Sequence, residues 1–213
     1  MTSVVLICNQ AIGRIRADTI GALTDDTVQA KTCTTYYEAS RDFVLADFPW
    51  NFAGKTITLA KNLETPEEWQ FCYAYPSDAL KVRYLYAEGF IRSQSDLLFS
   101  EERFRTSDGT IPYDVGLAAD NSKAIFSNLD LARCKYTIKL ENVNQFDAHF
   151  VTALSWYLAS EIAIPIAGTS KGRVLADRAA LGYQNVIAAA YSANANESDP
   201  GLPRDSEMIR AHR

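Results

Sequence analysis

The chain has 213 residues, 47% of them hydrophobic, with 21 Lys and Arg against 26 Asp and Glu for a formal charge of −5. That apolar fraction fills a core and excludes wholesale disorder, and the length suits one ordinary domain or two small lobes. The acidic balance lacks the basic face of a general nucleic-acid binder, so duplex binding is not expected, although an acidic wall can face DNA without holding it.

The first predicted helix covers 3–14, with Val4, Ile7, Ala11 and Ile12 on its apolar side and Leu6 and Ile15 beside them. Ser3 caps it and Gly13 weakens its end. Gly21 falls in a linker. Thr24 or Asp25 caps a second helix over 26–47, whose face takes Val28, Tyr36, Phe43 and Leu45, with Cys33 and Ala39 in narrower positions. Pro49 has no amide hydrogen to continue that helix and stops it. Pro49, Trp50, Asn51 and Phe52 then make an aromatic structural corner, a packing device that holds no nucleophile or base. The alternation of Thr56, Ile57, Thr58 and Leu59 reads as a strand.

Between 52 and 140, short alternating runs at 57–60, 80–87, 97–104, 123–127 and 136–140 are separated by Pro66, Pro76, Gly89, Gly109, Pro112 and Gly116. Val82, Tyr84 and Tyr86 share one face, opposite Lys81, Arg83 and Leu85. The region is expected to form a small antiparallel sheet with long loops, the one at 104–120 exposed and adaptable. Trp69, Phe71, Tyr73 and Tyr75 supply an aromatic cluster for a sheet face or a subunit contact.

Helical periodicity returns over 143–164, with Phe146, Phe150, Leu154, Tyr157, Leu158 and Ile162 directed at the core and Pro165 and Gly168 breaking the helix. Thr169 or Ser170 caps the last long helix, whose apolar positions include Val174, Leu181, Ile187 and Tyr191. Beyond Glu197 the pattern fails. The remaining residues read as a frayed tail, or as an arm ordered by a partner through Met208, Ile209, Arg210 and Arg213. The fold class expected is α+β: an antiparallel helical bundle from 1–51 and 141–197, an inserted small antiparallel β-rich lobe at 52–140, and an extended C-terminal arm at 198–213.

No catalytic, cofactor-binding or metal site is expected. Cys8, Cys33, Cys72 and Cys134 are too widely spaced for a zinc knuckle or redox dithiol, and only His149 and His212 join them. The sequence has no Gly-x-Ser-x-Gly elbow, no His-Glu-x-x-His pair and no dinucleotide loop. Glu67 with Glu68 and Glu101 with Glu102 read as solvated charge. Asp108, Asp114 and Asp120 are too far apart for a calcium loop. Gly168, Thr169, Ser170, Lys171 and Gly172 read as a helix start, with anion binding by its amides as the sharper alternative. Neither a signal peptide nor an apolar run of membrane-spanning length is read, so a soluble protein made in the cytoplasm is expected.

Several segments occur in a telling order: Cys8, Asn9, Gln10, Ala11, Ile12 and Gly13; the helix bearing Arg41 and Asp42; the corner at 49–52; Trp69 followed by Tyr73; and the run from Tyr75 through Pro76, Ser77, Asp78 and Ala79 to Leu80. The series resembles the head-to-tail adaptors of short-tailed bacteriophages, of the tubular tail protein A or gatekeeper type. The resemblance covers nearly the whole chain, and its distinctive motifs lie within 8–80. It implies a structural virion protein rather than an enzyme, located at the head–tail interface and assembled in the host cytoplasm. Such proteins form a dodecameric ring between the portal protein and the tail nozzle protein, with tail fibre docking outside. Double-stranded DNA passes through the central channel during ejection, without sequence-specific binding or membrane insertion. It further implies that Met208, Ile209, Arg210 and Arg213 form the portal-binding arm, in which the family's usual tryptophan is replaced here. Arg41, Asp42, Trp69 and Tyr73 become candidates for contacts between subunits. A connector or tail completion protein of a longer-tailed phage is the alternative.

Overall fold

The computed structural model describes residues 2–62, 68–87 and 111–197. Helix α1 (Val4–Arg14) starts where the Ser3 side chain accepts from the Leu6 amide, and it buries Ile7, Cys8, Ala11 and Ile12. Helix α2 (Val28–Asp47) is capped by Thr27, not by Thr24 or Asp25. Asp25 instead accepts from the amides of Gly21 and Ala22, closing the turn ahead of the helix. Phe48, forced out of the helical region by Pro49, ends α2 with φ −119° and ψ 142°.

The buried face of α2 runs through Ala30, Cys33, Tyr37, Ser40, Arg41, Val44 and Leu45. Val28 and Phe43, expected inside, are exposed. Two polar residues, Ser40 and Arg41, occupy the inner face, and a reading by hydrophobicity passes over them.

Helix α3 (Ala148–Ala167) begins at an Asp147 cap, and Val143–Gln145 is a separate 3-10 turn. Pro165 does not break α3. It sits in the last turn, where only the bond to the carbonyl of exposed Glu161 is forgone, and the helix ends at Gly168 with φ 76°. Helix α4 (Thr169–Glu197) follows at once. α3 is the central helix of the bundle, packing against α1, α2 and α4. It has the length and apolar composition of a membrane span, contrary to the expectation that no segment does.

α3 and α4 approach closely at two glycines. A Cβ on Gly172 would lie 2.7 Å from the Ile164 Cα, and one on Gly182 would lie 2.6 Å from the Trp156 indole. The same indole carries the Arg14 guanidinium, 3.9 Å from the ring centroid. α4 buries Ala179, Tyr183 and Ala190, whereas Val174 and Leu181 are 68% and 61% exposed. Its apolar positions therefore divide between two faces, only one of which meets α3.

The strands are β1 (Gly54–Thr58), β2 (Phe71–Ala74), β3 (Ala79–Ala87), β4 (Tyr113–Leu117), β5 (Lys123–Ser127) and β6 (Ala132–Ile138). They form two three-stranded antiparallel sheets rather than one, ordered β1-β6-β3 and β2-β5-β4. Residues 113–117, expected in a loop, pair with β5. The strand expected at 97–104 lies outside the described residues, as do Pro66, Gly89 and Gly109. A bulge in β3 leaves Arg83 unpaired between Val82, opposite Tyr136, and Tyr84, opposite Lys135. The bulge resets the alternation, so Val82 and Leu85 are buried and Tyr84 is exposed. The lobe core gathers Leu59, Tyr73, Val82, Leu85, Ile125, Cys134 and Tyr136. Phe52, Leu80 and Leu140 pack on the bundle core, so lobe and bundle share a junction.

Candidate interaction surfaces

The corner after α2 organises that junction. Trp50 is buried, and its Nε1 donates to the Val44 carbonyl at 2.8 Å. Val44 is among the last four residues of α2, whose carbonyls have no partner inside the helix, so the indole serves as a C-terminal cap. Phe48, Phe150 and Phe52 surround the indole at centroid distances of 4.6, 5.3 and 6.0 Å. The Trp50 carbonyl in turn accepts from Arg83 Nη2 at 2.6 Å. The corner thus ties the α2 terminus to the bulge of β3, while Pro49 and Asn51 lie exposed beside it.

Arg41 and Asp42 lie at the same junction. Arg41 is only 4% exposed. Its Nε donates to Asp42 Oδ1 at 2.8 Å, and its Nη2 stands 2.8 Å from the same oxygen as an ion pair. Lys139 and Glu141 extend the network across to the chain leaving β6. Tyr73 is fully buried in the lobe, where its hydroxyl donates to the Leu129 carbonyl at 2.5 Å. Of the four residues expected between subunits, Arg41 and Tyr73 therefore lack the surface such a contact needs. Trp69 is half-buried against Cys72, Ala124 and Phe126. Met208, Ile209, Arg210 and Arg213 lie outside the described residues.

The residues weighed for chemistry do not converge. Among the described residues, no group of three or more His, Cys, Asp or Glu side chains is placed to hold a metal ion. His149 is exposed on the first turn of α3. The amide of Gly172 donates back to the Gly168 carbonyl at 2.7 Å, and residues 169–172 form the first turn of α4, the helix start expected there. Asp120 accepts from Ser122 in its own turn, Asp114 lies in β4, and Asp108, Glu67, Glu101 and Glu102 lie outside the described residues. All four cysteines are free and buried. Burial pushes the Cys134 thiol up to about 12, and the hydrogen bond between Cys8 and Cys33 raises Cys8 while lowering Cys33; with all four thiols buried, none is presented to a substrate.

A mixed aromatic and acidic face, only weakly signalled by local pattern, forms where α2, α3 and α4 meet. Phe43 stacks on Tyr157 at 4.4 Å, and Tyr157 meets Tyr183 edge-on at 5.4 Å. The Tyr183 hydroxyl donates to Asp47 Oδ2 at 2.5 Å. Burial raises the Tyr157 phenol, and the neighbouring Glu161 and Asp47 carboxylates raise it further. Neither carboxylate has an ion-pair partner among the described residues. Tyr157 and Glu161 stand at helical spacing in the sequence, but their convergence with Asp47 depends on the three-helix packing.

No protein-family model and no curated protein matches the chain.

Proposed function

We propose that this chain is a structural adaptor of a short-tailed phage virion, forming a ring between the portal protein and the tail nozzle. The observation that carries the reading is the corner: a helical bundle passes, through Trp50 and the Arg83 bond to its carbonyl, into a β lobe with which it shares a packed junction. A part that transmits position from one ring to the next needs two surfaces on one rigid body, and a bundle with a lobe fixed at its end supplies them. The order of motifs from Cys8 to Leu80 supports the same reading.

In this reading the bundle and the 198–213 arm face the portal, and the lobe widens the ring towards the nozzle and fibre. Twelve copies carry a formal charge of −60 (12 × −5). A wall of that sign keeps moving DNA from adhering during ejection. The chain then acts by shape and charge, not by catalysis. The test is binding of the full chain, and of a chain lacking 198–213, to the portal ring encoded with it. The full chain is expected to bind and the shortened chain to lose binding; a full chain that leaves the portal bare would overturn the reading.

A further inference from the structure

Two outward surfaces of the bundle are left unmet by its own packing. The first is the face where Phe43 and Tyr157 stack beside Asp47 and Glu161. The second is the outer side of α4, where Lys171, Val174, Arg178 and Leu181 form one stripe with Asp177 at its margin. At about 100° per residue, Arg178 and Leu181 lie roughly 150° around α4 from Tyr183, which closes the first face. One copy can therefore offer both surfaces at once.

We infer that the two surfaces are the two sides of one contact between copies of this chain. The stripe of one copy seats on the Phe43, Asp47, Tyr157 and Glu161 face of the next. Their chemistry is complementary. The Arg178 guanidinium gains both a ring face and a carboxylate, the pairing that arginine makes most favourably at a protein surface. Val174 and Leu181, two turns apart and about 10 Å along the helix, cover the exposed rings. Because the two sides differ, the contact is heterologous and builds a ring if its rotation closes. The inference rests on the adaptor reading for that ring, and it names the surfaces that close it.

The test uses two charge reversals on exposed side chains, Arg178→Glu and Glu161→Arg, in the full chain. Sedimentation velocity over a range of concentrations measures self-association, and circular dichroism checks folding. Each variant alone presents like charges to itself and is expected to associate at least about tenfold more weakly than the unaltered chain. An equimolar mixture restores association, because every junction in an alternating assembly then pairs opposite charges. A chain carrying both reversals is restored as well.

An unaltered chain that stays monomeric at every concentration overturns the inference. So do single variants that associate normally, or a mixture that fails to recover. If Arg178→Glu keeps self-association but loses portal binding, the stripe belongs to the portal and the inference falls. Portal binding by a chain whose assembly ignores both reversals would sink the inference and leave the adaptor reading standing. Restored self-association without portal binding would do the reverse.

Discussion

Arg83 donates from Nη2 to the carbonyl oxygen of Trp50 at 2.6 Å, while its Nε donates to Thr137 Oγ1 at 2.9 Å. One guanidinium therefore spans the corner and the β6 strand. It reaches both because the β3 bulge releases Arg83 from the strand alternation. Replacing it by Met keeps an unbranched apolar stem in place of the arginine methylenes and removes both bonds. Denaturant unfolding should show a loss of about 2 kcal/mol, and Arg83→Lys should not recover it, because an ammonium cannot serve both acceptors in the same fork. Stability unchanged by Arg83→Met would remove the corner clamp from the account.

Trp50 gives a second test of the same junction. Trp50→Phe retains most of the ring packing but leaves the Val44 carbonyl without its indole donor. The expected cost is about 1–3 kcal/mol for an unpaired buried carbonyl. A cost well below that range, measured by thermal or urea unfolding, would mean that the α2 terminus finds another donor.

Two glycines should respond to alanine with opposite signs. A methyl on Gly13 would have nothing within 4 Å of it, so Gly13→Ala should stabilise α1 by up to about 1 kcal/mol through propensity. Gly172→Ala gains the same propensity but drives its methyl against the Ile164 Cα and the Ala163 carbonyl, at 2.7 and 2.8 Å. Backbone cannot step aside as a side chain can, so this variant should lose about 1–3 kcal/mol. Paired melting curves decide it, and equal shifts for both would contradict the close α3–α4 crossing.

Asp78 accepts from Lys55 Nζ at 2.7 Å and from the Tyr136 hydroxyl at 2.8 Å. The Lys55 bond, with that of Tyr136, holds its carboxyl below the ordinary 3.8. A depressed folded-state carboxyl adds stability that is present above the ordinary value and is lost as pH falls through the depressed one. Unfolding free energy should therefore drop below about pH 4, and more steeply for the unaltered chain than for Asp78→Asn. The pair is largely solvent-exposed, so the difference is small. Parallel profiles for the two proteins would remove Asp78 from the acid response.

Much of this architecture is legible in the sequence. Ser3 as a cap, the Pro49 stop and the return of helical period after 143 each follow from local chemistry that tertiary packing does not override. Pro49 and Pro165 show where that legibility ends: the residue before Pro49 turns extended, whereas Ile164 stays helical because the chain ends its helix two residues after Pro165 in any case. The β3 face departs from simple alternation because a bulge is a property of the pair of strands, not of either sequence alone. On α4, Val174 and Leu181 carry the same hydrophobicity as core residues, and only the position of α3 separates the inner from the outer stripe. The face of Phe43, Asp47, Tyr157 and Glu161 draws on two helices distant in sequence, so local pattern gives only its halves, Phe43 with Asp47 and Tyr157 with Glu161, each at helical spacing.

The most direct measurement is the number of copies that the portal ring takes up, read by mass photometry with electron-microscope class averages of the purified full chain mixed with that portal. The account predicts twelve copies added on one face as a closed ring. Folded chain that stays free in the presence of the portal, or that adds without closing a ring, would contradict it.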